Sequence, residues 1–438
     1  MKFASQHLAI LGAGRSGLGA ALLARQHGAV VTVFDEGDAV KTDKLEAEGF
    51  QSVTGQAARD LEVKPGEFQQ VIISPGLDEH WPLPKKFTDV GTPLVGETEF
   101  AFNLTNMPMA AITGTNGKST CTELIATLFN GCGMKSLPCG NHGVSLSEVV
   151  ASGARYDVLA LEISSFQLET IRNFRAKASL WLNFAPDHLD RYPNMEAYFA
   201  AKARIFENVR TDDVAIVRAG ESVSSGKAQR WTFSAYGAEA GYTYNAGKFY
   251  YHDQEIGGAA GLKLRGKHNM ENVLAALMTG RVFGLQYSSM LHALESYEPP
   301  RHRCELVRTL HNREYINDSK ATNLHALEAC LRSQERPIVL IAGGKDKELD
   351  YTPLRAELNG QVRAMVFIGE IAPQLERTFG DLLPCQRATD MTDAVRLATA
   401  ASQAGDAIIL SPGTSSFDMY TGYAQRGEVF RDAVNALK

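Results

Sequence analysis

The chain has 438 residues, more than one hydrophobic core ordinarily supports, so two or three domains are expected. Hydrophobic residues make up 44% and charged residues 21%, the balance of a globular protein rather than a disordered one. A net charge of −6 with no lysine- or arginine-rich run argues against nucleic acid or a membrane surface as partner.

The first stretch, "MKFASQHLAILGAGRSG", has an apolar run too short for a secretory leader and long enough for a strand. No run approaches the ~18 apolar residues of a membrane span. "HLAILGAG", "AVVTVFD", "QQVIISPG" and "TPLVGE" read as strands of a first unit ending near residue 95. Within it, Gly12, Gly14 and Gly17 follow a strand and open a helix, and Asp35 closes the next strand. That is the setting of a dinucleotide fingerprint. Its N–H groups at a helix start would equally suit the diphosphate of a uridine sugar, and glycines serving only a tight turn are the third reading.

A second unit opens with "PMAAITGTNGKST". Ile112 stands where the phosphate-loop pattern has its first glycine, but the working parts remain in Gly114, Thr115, Asn116, Gly117, Lys118, Ser119 and Thr120. Backbone N–H groups there would cradle phosphate, Lys118 would reach the β and γ groups of a nucleoside triphosphate, and Ser119 or Thr120 would meet Mg²⁺. Glu162 ends the apolar strand in "YDVLALEISS", and a buried carboxylate needs a partner or a metal, so it is a candidate Mg²⁺ ligand. "NFAPDHLDRY" gathers Asp187, His188, Asp190 and Arg191 in one loop suited to metal or phosphate. Lys202 sits on a helix among alanines and aromatics, where its stem could simply run along an apolar face. "KASLWLNF" and "DVAIV" are further strands, and "YTYNAGKFYYHDQEI" reads as a hairpin turning at Asn245–Gly247. His268, Asn269 and Asn272 lie at a helix start, where the two asparagines share a face and could read a base edge or cap the helix.

"YEPPRHRCE", residues 297–305, is the linker candidate, since its prolines stop a helix. Beyond it "EYIND", "PIVLIAGG", "RAMVFIG" and "DAIILSPG" are strands of a third unit. Three strand ends carry hydroxyls and lysines: Asp318, Ser319, Lys320 and Thr322; Lys345 and Lys347; Ser411, Ser415, Ser416 and, further on, Tyr423. Together they suit a small ligand rich in carboxylates. Alternating strands and helices throughout predict an α/β fold of mostly parallel sheets in three domains, 1–95, 96–298 and 299–438. Six scattered cysteines with no C-x-x-C pair predict free thiols in a reducing cytoplasm.

The motifs "GTNGKST", "LEISSFQLE", "DHLDRY", "AAKARIFEN", "GKHNMENVLAA", "HRCE", "INDSKATN", "GGKDK" and "SPGTSSFD", in this order, resemble those of the Mur ligase family over nearly the whole chain. The resemblance implies a Rossmann-like UDP-sugar domain, a central ATPase domain and a C-terminal Rossmann-like domain that brings the amino acid. It implies ATP-dependent addition of D-glutamate to UDP-N-acetylmuramoyl-L-alanine, through an acyl phosphate, by a cytoplasmic monomer. By motif, Lys118, Lys202, His188 and Lys320 would be catalytic. Ser119, Glu162, His188 and Lys202, the last as a carbamate, would hold two Mg²⁺ ions. Asn269 and Asn272 would contact adenine, with Arg303 and Asp318 near phosphate and ribose. Arg15, Ser16, Asp35, Glu36, Ser74, Gly76 and Asn141 would surround the UDP-sugar, and Lys320, Thr322, Lys347, Ser416 and Tyr423 the D-glutamate. Two departures stand out: "SPGTSSFD" where relatives often carry Ala-Cys-Ala before the serine, and Glu36-Gly37 where an arginine can occur.

The chemistry explains the cations. Bringing a carboxylate to a γ-phosphate sets like charges together, each pair ~4 Å apart costing about 4 kcal/mol at an effective dielectric near 20. Positive groups aimed at the transferring phosphoryl offset that repulsion. The rivals are a ligase of the same family adding another amino acid, an NAD-dependent oxidoreductase resting on Gly12–Gly17 alone, and a nucleotide switch without catalysis. The Asp-Asn-Pro-Arg motif of diaminopimelate-adding relatives is absent from the sequence.

Overall fold

Residues 2–438 are described by a computed structural model, except Asp190, Pro300, Glu335, Glu348, Glu357 and Asn359. Asp190 of the acidic loop and Pro300 of the linker candidate therefore lie outside the described residues. The chain forms two compact units, one of Met1–Leu262 with Glu271–Tyr297, the other of Lys263–Met270 with Glu298–Lys438.

The first unit holds two sheets. Strands β1 (His7–Leu11), β2 (Val30–Asp35), β3 (Gln51–Thr54), β4 (Gln70–Ile73) and β5 (Leu94–Gly96) pair in parallel in the order β3-β2-β1-β4-β5. The order reverses at β1, where an open α/β sheet leaves a crevice, and the glycine loop Gly12–Gly17 leaves β1 at that end.

The second sheet contains β6 (Met109–Thr113), β7 (Ser136–Gly140), β8 (Val158–Glu162), β9 (Ala178–Trp181), β10 (Val214–Arg218), β11 (Gln229–Ser234), β12 (Tyr242–Asn245), β13 (Lys248–Tyr251) and β14 (Gln254–Gly258). Its order is β14-β13-β12-β11-β10-β9-β6-β8-β7. Every residue of β6, β8 and β9 is buried, which is why these strands read as unbroken apolar runs. β12, β13 and β14 are antiparallel, and Asn245 pairs with Lys248 around the hairpin turn anticipated from sequence. One apolar core runs through both sheets, taking in Leu8, Ile10, Ala20, Leu23, Met109, Leu159 and Trp181.

The second unit is built on β15 (Glu305–Leu310), β16 (Arg313–Asn317), β17 (Ile338–Gly343), β18 (Val362–Ile368), β19 (Cys385–Arg387) and β20 (Ala407–Leu410), ordered β15-β16-β20-β17-β18-β19. Only β15 runs antiparallel to its neighbour. β16, β20 and β17 are adjacent, so the three loops bearing hydroxyls and lysines leave the same sheet edge side by side. Among the described residues no helix is long and apolar enough to cross a membrane.

Candidate functional site

The phosphate loop joins β6 to the helix Lys118–Gly131. Gly114 and Gly117 take φ of 152° and 84°, a backbone that a side chain resists. At Gly117 a Cβ would also lie 2.7 Å from Asn272 Oδ1, so that asparagine reaches the loop itself. No acidic residue occupies the first turn of the helix, leaving its positive end available to an anion. The loop is clasped from the end of β9. Thr115 N donates to Asn183 O (3.0 Å), Asn116 N to Asn183 Oδ1 (2.8 Å), and Asn183 Nδ2 to Asn116 O (3.0 Å).

Two lysines converge on this loop. Lys118 Nζ donates to Gly114 O and Thr115 O, both at 2.9 Å, and Lys202 Nζ donates to Gly114 O at 3.2 Å. Lys202, on the helix Met195–Ala203, is 2% exposed and lies 4.7 Å from the Tyr198 ring centre. Burial first, and then the charge of Lys118, pull its amine down to about 7 against the pull of Asp187 and Glu162. The neutral amine is therefore well populated at neutral pH, the form that can react with carbon dioxide.

Glu162 ends β8 and is buried. Asn141 Nδ2 donates to its Oε1 at 2.9 Å, while its buried Oε2 has no hydrogen-bond partner. An orphaned carboxylate oxygen is costly in isolation. That unpartnered hard oxygen suits Mg²⁺, and Ser119 stands in the first turn of the helix Lys118–Gly131. His188, at φ 55°, packs edge-on against Phe166 with ring centres 4.9 Å apart, and its Nε2 lies 3.6 Å from Asp187 Oδ2. Arg191 turns elsewhere, pairing with Glu169 at 2.6 Å and lying over Phe166.

The glycine loop after β1 borders a cleft of about 540 Å³ lined by Ala13, Arg15, Leu18, Lys41, Lys44 and Glu148 among others. Arg15 crosses to the neighbouring sheet's elements, donating to Glu148 Oε2 and to Gly143 O, both at 2.8 Å. Asp35 is occupied by its own loops: Oδ2 accepts from Ala13 N (2.8 Å) and Oδ1 from Gly37 N (2.9 Å). It shapes the turn instead of presenting a bare carboxylate. Arg59 binds the Glu36 carbonyl, and a Cβ on Gly12 would strike Ser74 Oγ at 2.7 Å, so Ser74 lies against the turn. Ser16 stands in the first turn of the helix Arg15–Gln26, and Gly76 has open space around its Cβ direction.

In the second unit Lys347 Nζ donates to Thr322 O (3.2 Å), and Lys320 Nζ lies 5.8 Å from the Tyr423 ring centre. Ser416 is buried, and Tyr423 opens the helix Tyr423–Asn435. Asn269 donates to Arg265 O at 2.8 Å across the start of the helix Lys267–Val282. Asp318 follows β16, buried, accepting from Cys304 N (3.1 Å) and from Ser411 Oγ (2.8 Å). Burial raises its carboxyl to about 6. Arg303 precedes Cys304 in the same turn.

Sequence reasoning passed over two organisers. Asn183, in "WLNFAP", looks like one more polar residue after a strand. Arg426 is 1% exposed and gathers all three pocket loops, donating to Ser319 Oγ (3.0 Å), Ser319 O (2.9 Å), Thr414 O (3.1 Å) and Gly343 O (3.5 Å). Its only sequence signal is an arginine in a helix that otherwise buries small and apolar residues.

A family profile described as Mur ligase middle domain matches residues 112–280, and one described as Mur ligase, glutamate ligase domain matches 302–413. The chain is 38% identical to UDP-N-acetylmuramoylalanine--D-glutamate ligase of Trichlorobacter lovleyi, covering all of both chains. It is 34% identical to the Geobacillus sp. protein of the same name, over 100% of this chain and 99% of that one. Among solved structures, UDP-N-acetylmuramate-alanine ligase MurC of Thermotoga maritima superposes with TM-score 0.58 at 17% identity, over 99% of this chain and 100% of that one. MurF ligase of the same organism, in complex with ADP, gives 0.59 at 13% identity, over 99% and 96%. These last two speak to the fold alone.

Proposed function

The chain belongs to the Mur ligase family, and on that premise we propose that it joins D-glutamate to UDP-N-acetylmuramoyl-L-alanine at the expense of ATP, a step of peptidoglycan assembly. End-to-end similarity to D-glutamate ligases supports the choice of amino acid. The observation that carries the chemistry is the half-satisfied Glu162 carboxylate, whose charge reaches Lys202 at the phosphate loop.

In the first step an oxygen of the alanyl carboxylate attacks the γ-phosphorus, and the bond from that phosphorus to the ADP oxygen breaks. The amine of D-glutamate then attacks the acyl carbon, phosphate leaves with the carbon–oxygen bond, and the amine sheds a proton. Lys118 counters charge on the β and γ groups, and the clasped loop fixes where they sit. Lys320 steadies the negative charge that develops as the acyl phosphate forms and collapses. Ser119, Glu162, His188 and Lys202, carbamylated through its neutral amine, are the residues that would hold magnesium, in our reading two ions. Magnesium bound there would neutralise charge on the transferring phosphoryl group.

Asn269 and Asn272 are assigned to adenine, with Arg303 and Asp318 toward phosphate and ribose. Arg15, Ser16, Asp35, Glu36, Ser74, Gly76 and Asn141 are assigned to the UDP-sugar, Asp35 through the turn it braces. Lys320, Thr322, Lys347, Ser416 and Tyr423 take D-glutamate, whose two carboxylates explain two lysines. We assign residues 1–95, 96–298 and 299–438 to the three domains, and a monomer working in the cytoplasm.

Phosphate release measured with ATP, UDP-N-acetylmuramoyl-L-alanine and a panel of amino acids tests this. D-glutamate alone should support turnover. Release with another amino acid and not with D-glutamate, or none with any, refutes the assignment.

A further inference from the structure

Two thiols and a carboxylate meet inside the second unit, from three successive elements of the chain. Cys304 lies in the turn before β15, Asp318 follows β16, and Cys330 is on the helix Leu324–Arg332. Cys304 Sγ and Cys330 Sγ are 3.8 Å apart, and one ligand atom from each of the three residues lies within 4.8 Å of the others. Cys330 and Asp318 are buried, and Cys304 is half-buried. Among the described residues it is the one group of this kind.

We propose that Cys304, Cys330 and Asp318 form a binding site for one thiophilic divalent cation, zinc or cadmium, and that filling it inhibits the enzyme by capturing Asp318. The inhibition rests on the nucleotide role assigned to Asp318 above; the binding itself does not.

The sulfur spacing suits a shared metal ion. Two thiolates ~2.3 Å from a tetrahedral zinc stand ~3.8 Å apart, the separation found here. A disulfide would instead require the sulfurs to close to ~2.05 Å. The donor set, two thiolates and one carboxylate oxygen, selects a soft or borderline cation over magnesium. The Asp318 carboxylate is already held in a fixed orientation, because Cys304 N–H donates to Oδ1 and the Ser411 hydroxyl to Oδ2, leaving a lone pair on each oxygen. Such outer hydrogen bonds are what fix a ligating carboxylate. Drawing the three ligand atoms onto one ion needs contraction from at most 4.8 Å.

Without a cation these acidic groups lie together and are held toward their protonated forms. Contact with Cys304, then burial, pushes the Cys330 thiol well up, and burial raises Asp318. A divalent ion replaces the two thiol protons, which leave to solvent as the two metal–sulfur bonds form. The fourth position falls to water.

The reduced full-length chain, stripped of metal, is titrated with cadmium while sulfur-to-metal charge-transfer absorption and proton release are followed. One cadmium per chain, a charge-transfer band and about two protons released per ion are expected. Cys304→Ser and Cys330→Ala should each weaken binding at least about tenfold, and Cys132→Ser should leave it unchanged. A band absent from the unaltered chain, or equal in the Cys304→Ser, Cys330→Ala double variant, overturns the site. Zinc should also inhibit phosphate release by the unaltered enzyme and spare Cys330→Ala. Cadmium binding without inhibition would retain the site and overturn its coupling to Asp318. Because band and proton count need no turnover, they stand apart from the fate of the ligase assignment.

Discussion

Replacing Lys202 with methionine should make the protein more stable at neutral pH while abolishing its activity. The amine titrates at 10.5 in an unfolded chain and at about 7 in the folded one. Between those values the unfolded chain holds a proton that the folded chain lacks, so stability rises with pH. The separation is worth about 5 kcal/mol. That penalty is complete below pH 7, shrinks by about 1.4 kcal/mol per pH unit above it, and is gone past 10.5. Methionine keeps the stem and drops the charge, at the cost of the hydrogen bond to Gly114 O, about 1 kcal/mol. The variant should therefore gain about 4 kcal/mol at pH 7 in buffer free of carbon dioxide, and lose slightly above pH 10.5. Urea unfolding followed by tryptophan fluorescence reads this cleanly, because Trp81, Trp181 and Trp231, the chain's 3 tryptophans, all lie in the unit that contains Lys202. A variant destabilised at pH 7, or a difference independent of pH, would refute the reasoning. For function, Lys202→Ala leaves room for a small acid, and added acetate or formate should restore part of the lost activity. Full activity before any addition would exclude a metal-holding role.

Lys347→Ala removes a charged partner worth about 1.5–3 kcal/mol, so the KM for D-glutamate should rise about tenfold or more with that for ATP little changed. Equal rises in both would count against the pocket. Gly117→Ala forces a side chain into the left-handed region, costing about 1–2 kcal/mol, and drives it against Asn272 Oδ1. Initial rates should show weaker ATP use with an unchanged KM for the UDP-sugar. His268 is half-buried with its Nδ1 out of contact with solvent, and its ring is held down to about 4, by desolvation first and then by Arg303. Its unfolded form takes up a proton first, so stability should fall as pH drops from 6.5 to about 4, by about 3 kcal/mol in all. His268→Leu should flatten that fall in melts followed by circular dichroism; an identical acid profile in the variant would discard the idea.

The sheets were legible wherever strands are buried on both faces, since β6, β8, β17 and β20 are continuous apolar runs. β3 and β19 were not, because "QSVT" and "CQR" are short and partly exposed and their pairing is decided by the neighbouring strand. The phosphate loop was legible because glycine, lysine and hydroxyls at fixed spacing have one obvious use. Asp35 shows the reverse. Its position about twenty residues after the glycines completes a dinucleotide fingerprint on paper, while in the fold its oxygens accept from Ala13 N and Gly37 N, partners that only the folded turn supplies. Arg426 was silent for a similar reason: four acceptors on three separate loops make its burial tolerable, and none is near it in sequence except Thr414.

The three hydrogen bonds that Asn183 shares with Thr115 and Asn116 mean that the loop for ATP acquires its shape when the chain folds, before any triphosphate arrives. Immobilising a free loop of this size on arrival of a ligand would subtract from affinity at every residue fixed. Here that entropic debt has been transferred to the stability of β9 and its neighbours, so the attraction between anion and backbone can go almost wholly into holding the nucleotide in register for transfer.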